Sequence, residues 1–269
     1  MVRLLGVVNV TPDSFSDGGR YPGADAAVRA GLQMAEEGAW AVDVGGCSTR
    51  PGASSVDTRT ELERVVPVVR ALVRAGVRVS IDSMNAEVVE ACLDLGVTMV
   101  NDVSGGLHDD RMLGLAARTG ATLVVSHWRA TSDEMVAHAV YADVVREVRD
   151  ELAERIEAAL EAGVRSTNLI LDPGIGFAKT ASQSWDLLRN LPVLQSLGCE
   201  LLVGTSRKSL FREILSAADG ADDPQSRDDL TAASTAIASF IGVDYLRVHN
   251  IPANRRAAEV AMRWRGVTR

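Results

Sequence analysis

Eight short apolar runs pace this 269-residue chain, each closed by a polar or glycine-rich cluster. They read "LLGVVN", "WAVDVGG", "VRVSID", "TMVNDVSGG", "TLVVSHW", "LILDPG", "ELLVGTSRK" and "YLRVHN". Continuous rather than alternating apolarity suits strands covered on both faces, as in a parallel sheet. Between the runs lie alanine-rich segments with helical spacing, such as "DAAVRAGLQMAEEG", "ELERVVPVVRALVRAG" and "REVRDELAERIEAALEAG". Several of these end in "EEG", "RAG", "DLG" or "EAG", which places a glycine at the helix C-terminus just before the next strand. Such βα units, repeated through about 250 residues, predict an α/β fold, the (β/α)8 TIM barrel. With no proline- or serine-rich linker, residues 1–269 read as a single domain. A doubly wound sheet is the alternative, but its Gly-x-Gly-x-x-Gly after an early strand is missing.

A barrel of this kind carries its functional groups where the strands end. Those positions hold Asn9, Asp43, Asp82, Asn101 with Asp102, His127, Asp172, Lys208, and Arg247 with His249. One polar strand end is unremarkable, because a chain leaving a sheet meets water; acids, amides and bases at every end form a constellation. The net charge of -8 argues against nucleic acid as a general partner and leaves room for a local cationic pocket for a small anion. No apolar run reaches the roughly 18 residues of a membrane span, and "MVRLLGVVNV" lacks a small-residue cleavage site. Cys47, Cys92 and Cys199 are widely spaced and odd in number, which points to reduced thiols in a cytoplasmic protein rather than disulfides or a zinc site. With four histidines and no His-Glu-x-x-His pattern, a transition-metal hydrolase has no support.

The stretches "NVTPDSFSDGG", "DVGGCSTRPGA", "SID", "NDVSGG", "LDPGIGFAKT", "TSRK" and "RVH", in that order, span nearly the whole chain. In them the sequence resembles the dihydropteroate synthase family. The resemblance implies a pterin-binding barrel, often a homodimer, that joins 6-hydroxymethyl-7,8-dihydropterin pyrophosphate to p-aminobenzoate and releases pyrophosphate. It implies pterin contacts from Asp82, Asn101, Asp172, Phe177 and Lys208, whose acids and amides suit the guanidine-like edge and lactam of a dihydropterin. It places Asn9, Arg50, Arg247 and His249 at the pyrophosphate, with Asn9 also a ligand for Mg2+, a hard cation that favours oxygen. Thr49 and Arg50 would close over the same oxygens, and Pro51 and Ser209 would flank p-aminobenzoate, whose mimics, the sulfonamides, are expected as competitive ligands. Asp17, Lys208, Arg247 and His249 are the expected catalytic set.

No side-chain nucleophile is required. Loss of pyrophosphate leaves a cation spread into the pterin ring, which the arylamine attacks, so the groups act by charge and position; the dissociative order comes from the resemblance. The loop from Asn9 to Gly19 is then expected to be a lid, with Asp17 near the developing cation and Phe15 walling the p-aminobenzoate slot.

Two positions depart from the family pattern: Cys47 stands where glutamate is usual, and Asn250 where aspartate is common. Because Asp82, Asn101, Asp172, Lys208, Arg247 and His249 are present, catalysis is expected to survive. The other readings are a non-catalytic pterin-binding paralogue, a sulfonamide-insensitive variant and, further off, a methyltetrahydrofolate:corrinoid methyltransferase, which has no need of "SRK" and "RVH". Elsewhere, Trp185, Met262 and Trp264 read as packing residues, His108 and His138 as surface, and "REVRDELAER" as a solvent face. His127 reads as a supporting residue at the site.

Overall fold

The computed structural model describes residues 2–11, 22–47, 56–131, 134–215 and 223–267. Eight parallel strands, β1 (Arg3–Asn9), β2 (Ala41–Gly45), β3 (Val79–Asp82), β4 (Met99–Asp102), β5 (Thr122–Ser126), β6 (Leu169–Asp172), β7 (Glu200–Val203) and β8 (Tyr245–Val248), close in sequence order into a barrel. The seam is β8 against β1, with Leu5 opposite Arg247. Around it run α1 (Pro22–Glu36), α2 (Thr58–Arg74), α3 (Ala86–Leu93), α4 (Arg111–Thr119), α5 (Val144–Glu161), α6 (Ala181–Arg189), α7 (Leu191–Gln195), α8 (Asp228–Ile241) and α9 (Ile251–Trp264). The extra helix, α7, follows a break at Asn190, next to Pro192. The expected barrel is therefore present, and closure excludes the open sheet.

Side chains alternate across a strand, and this divides the packing. Outward residues such as Leu4, Val42, Ile81, Val100, Leu123, Leu171, Val203 and Leu246 join the core between barrel and helices. Inward residues Leu5, Ala41, Met99, Val124, Ile170, Leu202 and Tyr245 form a separate apolar floor inside the barrel. Beneath it Trp40 meets Tyr245 edge-on at 5.4 Å, with the Arg3 guanidinium 3.8 Å from the Tyr245 ring centre. The glycines ending "EEG", "RAG", "DLG" and "EAG" sit at φ 100°, 77°, 103° and 95°, as the capping pattern requires.

Two expectations change. Trp185 packs edge-on to Phe211 and Met262 is half-buried, but Trp264 is 81% exposed. The buried stripe of α9 runs through Ile251, Asn254, Ala258 and Ala261 and ends there, and Trp264, three residues on, lies in the exposed last turn. The "REVRDELAER" face is not wholly solvated either: Glu147 and Glu151 turn toward the barrel and accept hydrogen bonds from Arg129. His108 and His138 are exposed, as expected.

Candidate active site

Two residues beyond Ala41, Met99, Val124, Ile170 and Tyr245 of the apolar floor come Asp43, Asn101, Ser126, Asp172 and Arg247. The inward register therefore changes from apolar to polar within one step, and the barrel mouth is lined by acids, amides and a guanidinium. Arg247 Nε donates to Asp43 Oδ2 at 2.6 Å, and its Nη2 donates to Asp82 Oδ2. Asn101 Nδ2 donates to the same Asp43 oxygen at 3.0 Å. One part-buried cation thus ties together three strands, and it answers two carboxylates that are themselves buried. Burial works against the Arg247 charge, but Asp43 and Asp82 outweigh it and raise its pKa. Burial also raises the Asp82 pKa, with Arg247 pulling it back. Asp43 Oδ1 is buried with no hydrogen-bond partner among the described residues, so this cluster retains an unused acceptor.

Across the mouth, Asp172 ends β6 and its Oδ1 accepts from the Gly174 amide at 2.7 Å, which starts the following loop. Burial raises the Asp172 pKa, and Lys208 opposes that rise. Lys208 donates to the Ile175 carbonyl, and its Nζ lies 4.8 Å from the Phe177 ring centre. Burial brings the Lys208 pKa down to about 8, against the pull of Asp172. Expected pterin residues Asp172, Phe177 and Lys208 therefore meet around one loop, while Asp82 meets Arg247 and Asn101 meets Asp43; β3 and β4 place Asp82 and Asn101 as register partners.

His249 follows β8, and its Nδ1 lies 2.9 Å from Ser206 Oγ. Asn250 caps α9 by accepting from the Ala253 amide at 3.1 Å, work that an aspartate at this position would also do. Ser209 is exposed at the start of a 3-10 turn beside Lys208. Asn9 ends β1 opposite Gly45. Phe15, Asp17, Thr49, Arg50 and Pro51 lie outside the described residues.

Asp102 is not a mouth residue. Its carboxylate accepts from the Ser104 amide and hydroxyl and from the Gly106 amide, and so builds the turn after β4. Two site residues were missed by sequence reasoning. Asp43 stood among the strand ends, but its role as the anchor of Arg247 depends on barrel closure. Lys179 carried no signal beyond "FAKT", yet from within the loop after Asp172 its side chain is buried and contacts His127. Among the described residues no three His, Cys, Asp or Glu side chains gather to hold a metal. Asn9 supplies a single carboxamide oxygen, a donor that fits a hard cation taking its other oxygens from phosphate and water.

Residues 5–249 match the model of the pterin binding enzyme family. A dihydropteroate synthase of Mycobacterium leprae is 47% identical over 98% of this chain and 93% of its own length. The structure of Xanthomonas albilineans dihydropteroate synthase with 4-aminobenzoic acid superposes with a TM-score of 0.91 at 38% identity, covering 99% of this chain and 94% of that one. Yersinia pestis dihydropteroate synthase in complex with a sulfonamide drug gives a TM-score of 0.90 at 34% identity, covering 98% and 94%. The chain belongs to the dihydropteroate synthase family of pterin-binding enzymes, transferases of folate biosynthesis.

Proposed function

We propose that the mouth condenses 6-hydroxymethyl-7,8-dihydropterin pyrophosphate with p-aminobenzoate to give 7,8-dihydropteroate and pyrophosphate, by departure of pyrophosphate before amine attack. The carrying observation is the juxtaposition of two clusters at the barrel mouth: Asp43–Arg247–Asp82 with Asn101, and Asp172 with Lys208 and Phe177. The acids suit the N–H edge of the pterin, where each charge-assisted hydrogen bond contributes about 2 kcal/mol. They also stabilise the developing ring cation. Arg247, on the last strand, and His249, just past its end, are the donors for the departing phosphates, as in other barrels. Phe177 offers a face for the pterin ring.

Asn9 would hold Mg2+, which supplies positive charge to the leaving group when bound. In this reading Ser209, exposed beside Lys208, flanks p-aminobenzoate, and Phe15, Asp17, Thr49, Arg50 and Pro51 complete it from sequence. A sulfonamide, bound by the Yersinia relative, is expected to compete at the same place. Homodimerisation fits the exposed apolar side chains Ile237, Phe240, Val260 and Trp264 on the packed pair α8 and α9. No helix among the described residues is long and apolar enough to cross a membrane, in keeping with a cytoplasmic enzyme.

The test is pyrophosphate release from the dihydropterin pyrophosphate, measured with and without p-aminobenzoate. Release that depends on the arylamine, with dihydropteroate formed in equal amount, is the expected result. A chain that binds the pterin but releases nothing would be the non-catalytic paralogue.

A further inference from the structure

We infer that Lys179 is a positioning residue: from within the loop between β6 and α6 its ammonium sets the loop that presents Asp172 and Phe177, and His127 and Glu151 fix the direction of that ammonium. The inference rests on the reading that this loop holds the pterin. Lys179 Nζ has three hydrogen-bond partners, the Gly174 carbonyl at 3.1 Å, the Phe177 carbonyl at 3.0 Å and His127 Nδ1 at 2.8 Å. Three donors meet three acceptors, so the ammonium is fully used within the protein.

The loop needs such a hold. Gly174, Gly176 and Ala178 are all left-handed, at φ 64°, 78° and 47°, and for alanine that conformation costs about 1 kcal/mol. A side chain at Gly174 would lie 2.3 Å from the His127 carbonyl, so the loop is pressed against the end of β5. Such backbone persists only when its surroundings over-determine it. On the mouth side Lys208 takes the Ile175 carbonyl; on the hidden side Lys179 takes the carbonyls on either side of it.

The hidden side continues outward. An ionised carboxylate can only accept, so His127 Nε2 donates to Glu151 Oε2 at 2.9 Å, and the neutral ring leaves Nδ1 to accept from Lys179. Arg129 holds that carboxylate from Nε at 3.2 Å and from Nη2, and also reaches Glu147 at 2.8 Å and the Val140 carbonyl at 2.6 Å. The direction of the ammonium is therefore set from α5, in the way that supporting carboxylates orient histidines at metal sites.

Lys179→Met keeps the stem and removes the donors. Its KM for the dihydropterin pyrophosphate is expected to rise about 10- to 100-fold, because small misplacements of binding groups are that costly, while the KM for p-aminobenzoate stays within about twofold. A merely structural role would lower the active fraction, and so the apparent kcat, and leave both KM values in place; that result overturns the inference. Calorimetric binding of the dihydropterin pyrophosphate to the unaltered protein separates the two readings. No binding there removes the functional reading and the inference with it, whereas normal binding with an unchanged Lys179→Met pterin KM removes the inference alone. Should Lys179→Met fail to fold, Glu151→Gln decides, since it loosens only the far end of the chain of contacts. A rise of about threefold in the pterin KM alone supports the inference, and no rise overturns it.

Discussion

Arg247 and Lys179 are both cations withdrawn from solvent, the first in part and the second fully, yet their hydrogen bonds end on different kinds of group. Arg247 joins side chains from β2, β3 and β8, and one oxygen of its anchor, Asp43, is left without a partner among the described residues. Lys179 ends on two backbone carbonyls and a histidine, with nothing left over. The first cluster keeps the Arg247 side chain partly open to the mouth; the second is closed and acts on geometry. Burial moves the Lys179 pKa down to about 7, while the two acids beside Arg247 overcome burial and raise its pKa. A charge with two carboxylates is held on; a charge whose nearest partners are neutral dipoles is held less firmly.

Removing Arg247 should give the largest effect. Arg247→Met is expected to lower kcat/KM for pyrophosphate release by about 10³-fold, the scale for losing a donor aimed at developing charge. It should also cost about 3–5 kcal/mol in denaturant unfolding, because Asp43 and Asp82 are left buried without their cation. A loss confined to the pterin KM, resembling the effect expected for Lys179→Met, would erase the contrast between the two clusters.

That contrast marks how far the sequence could be read. The mouth was legible because a barrel and a two-residue period together send Asp82, Asn101, Asp172 and Arg247 to one place, whatever the loops do. Asp43 could be placed but not explained, since its bond to Arg247 joins residues 204 positions apart. The closed cluster was illegible for the same reason, with 52 positions between His127 and Lys179. Glu147 and Glu151 lie in a helical run whose charges match a solvated face, and only the return of Arg129 from the β5 loop recruits them inward. Local pattern assigns faces; long-range pairing decides which charged residues leave the solvent.

A smaller effect should appear in the pH dependence of stability. Burial is the main cause that brings the His127 pKa down to about 4, helped by Lys179 and opposed by Glu151. In the unfolded chain the same ring binds a proton near pH 6.5. Between those values the unfolded state carries the extra proton, so stability falls as pH drops from about 6.5 toward 4, by up to about 3 kcal/mol. Glu151, lowered to about 2 because hydrogen bonds and charges of His127 and Arg129 outweigh burial, loses its contribution only below the ordinary carboxylate range of about 4.5. Denaturant melts of His127→Gln should therefore be flatter between pH 6.5 and 4. An unchanged slope would assign the acid sensitivity to other groups.

The smallest effect is expected at Cys47, the departure from the family pattern nearest the mouth. The residue is half-buried, and burial, with Glu61 beside it, pushes its thiol up to about 12, so it acts as a neutral hydrogen-bonding group. Glu61 is itself buried, with its pKa raised by that burial and its Oε1 without a partner among the described residues. The exit of β2 has little room, for a side chain at Gly46 would meet Val65 at 2.8 Å and Glu61 at 2.9 Å. Cys47→Glu therefore sets a second carboxylate against Glu61, and Arg64, which donates to the Gly46 carbonyl at 2.8 Å, compensates in part. The expected cost is about 1–2 kcal/mol of stability. Activity should change by less than about threefold, since Asp82, Asp172, Lys208 and Arg247 keep their partners and any added charge reaches Asp82 only through space. Turnover that is absent in the natural chain and present in Cys47→Glu would reverse this expectation: the Arg247 cluster would then be insufficient without a carboxylate at position 47.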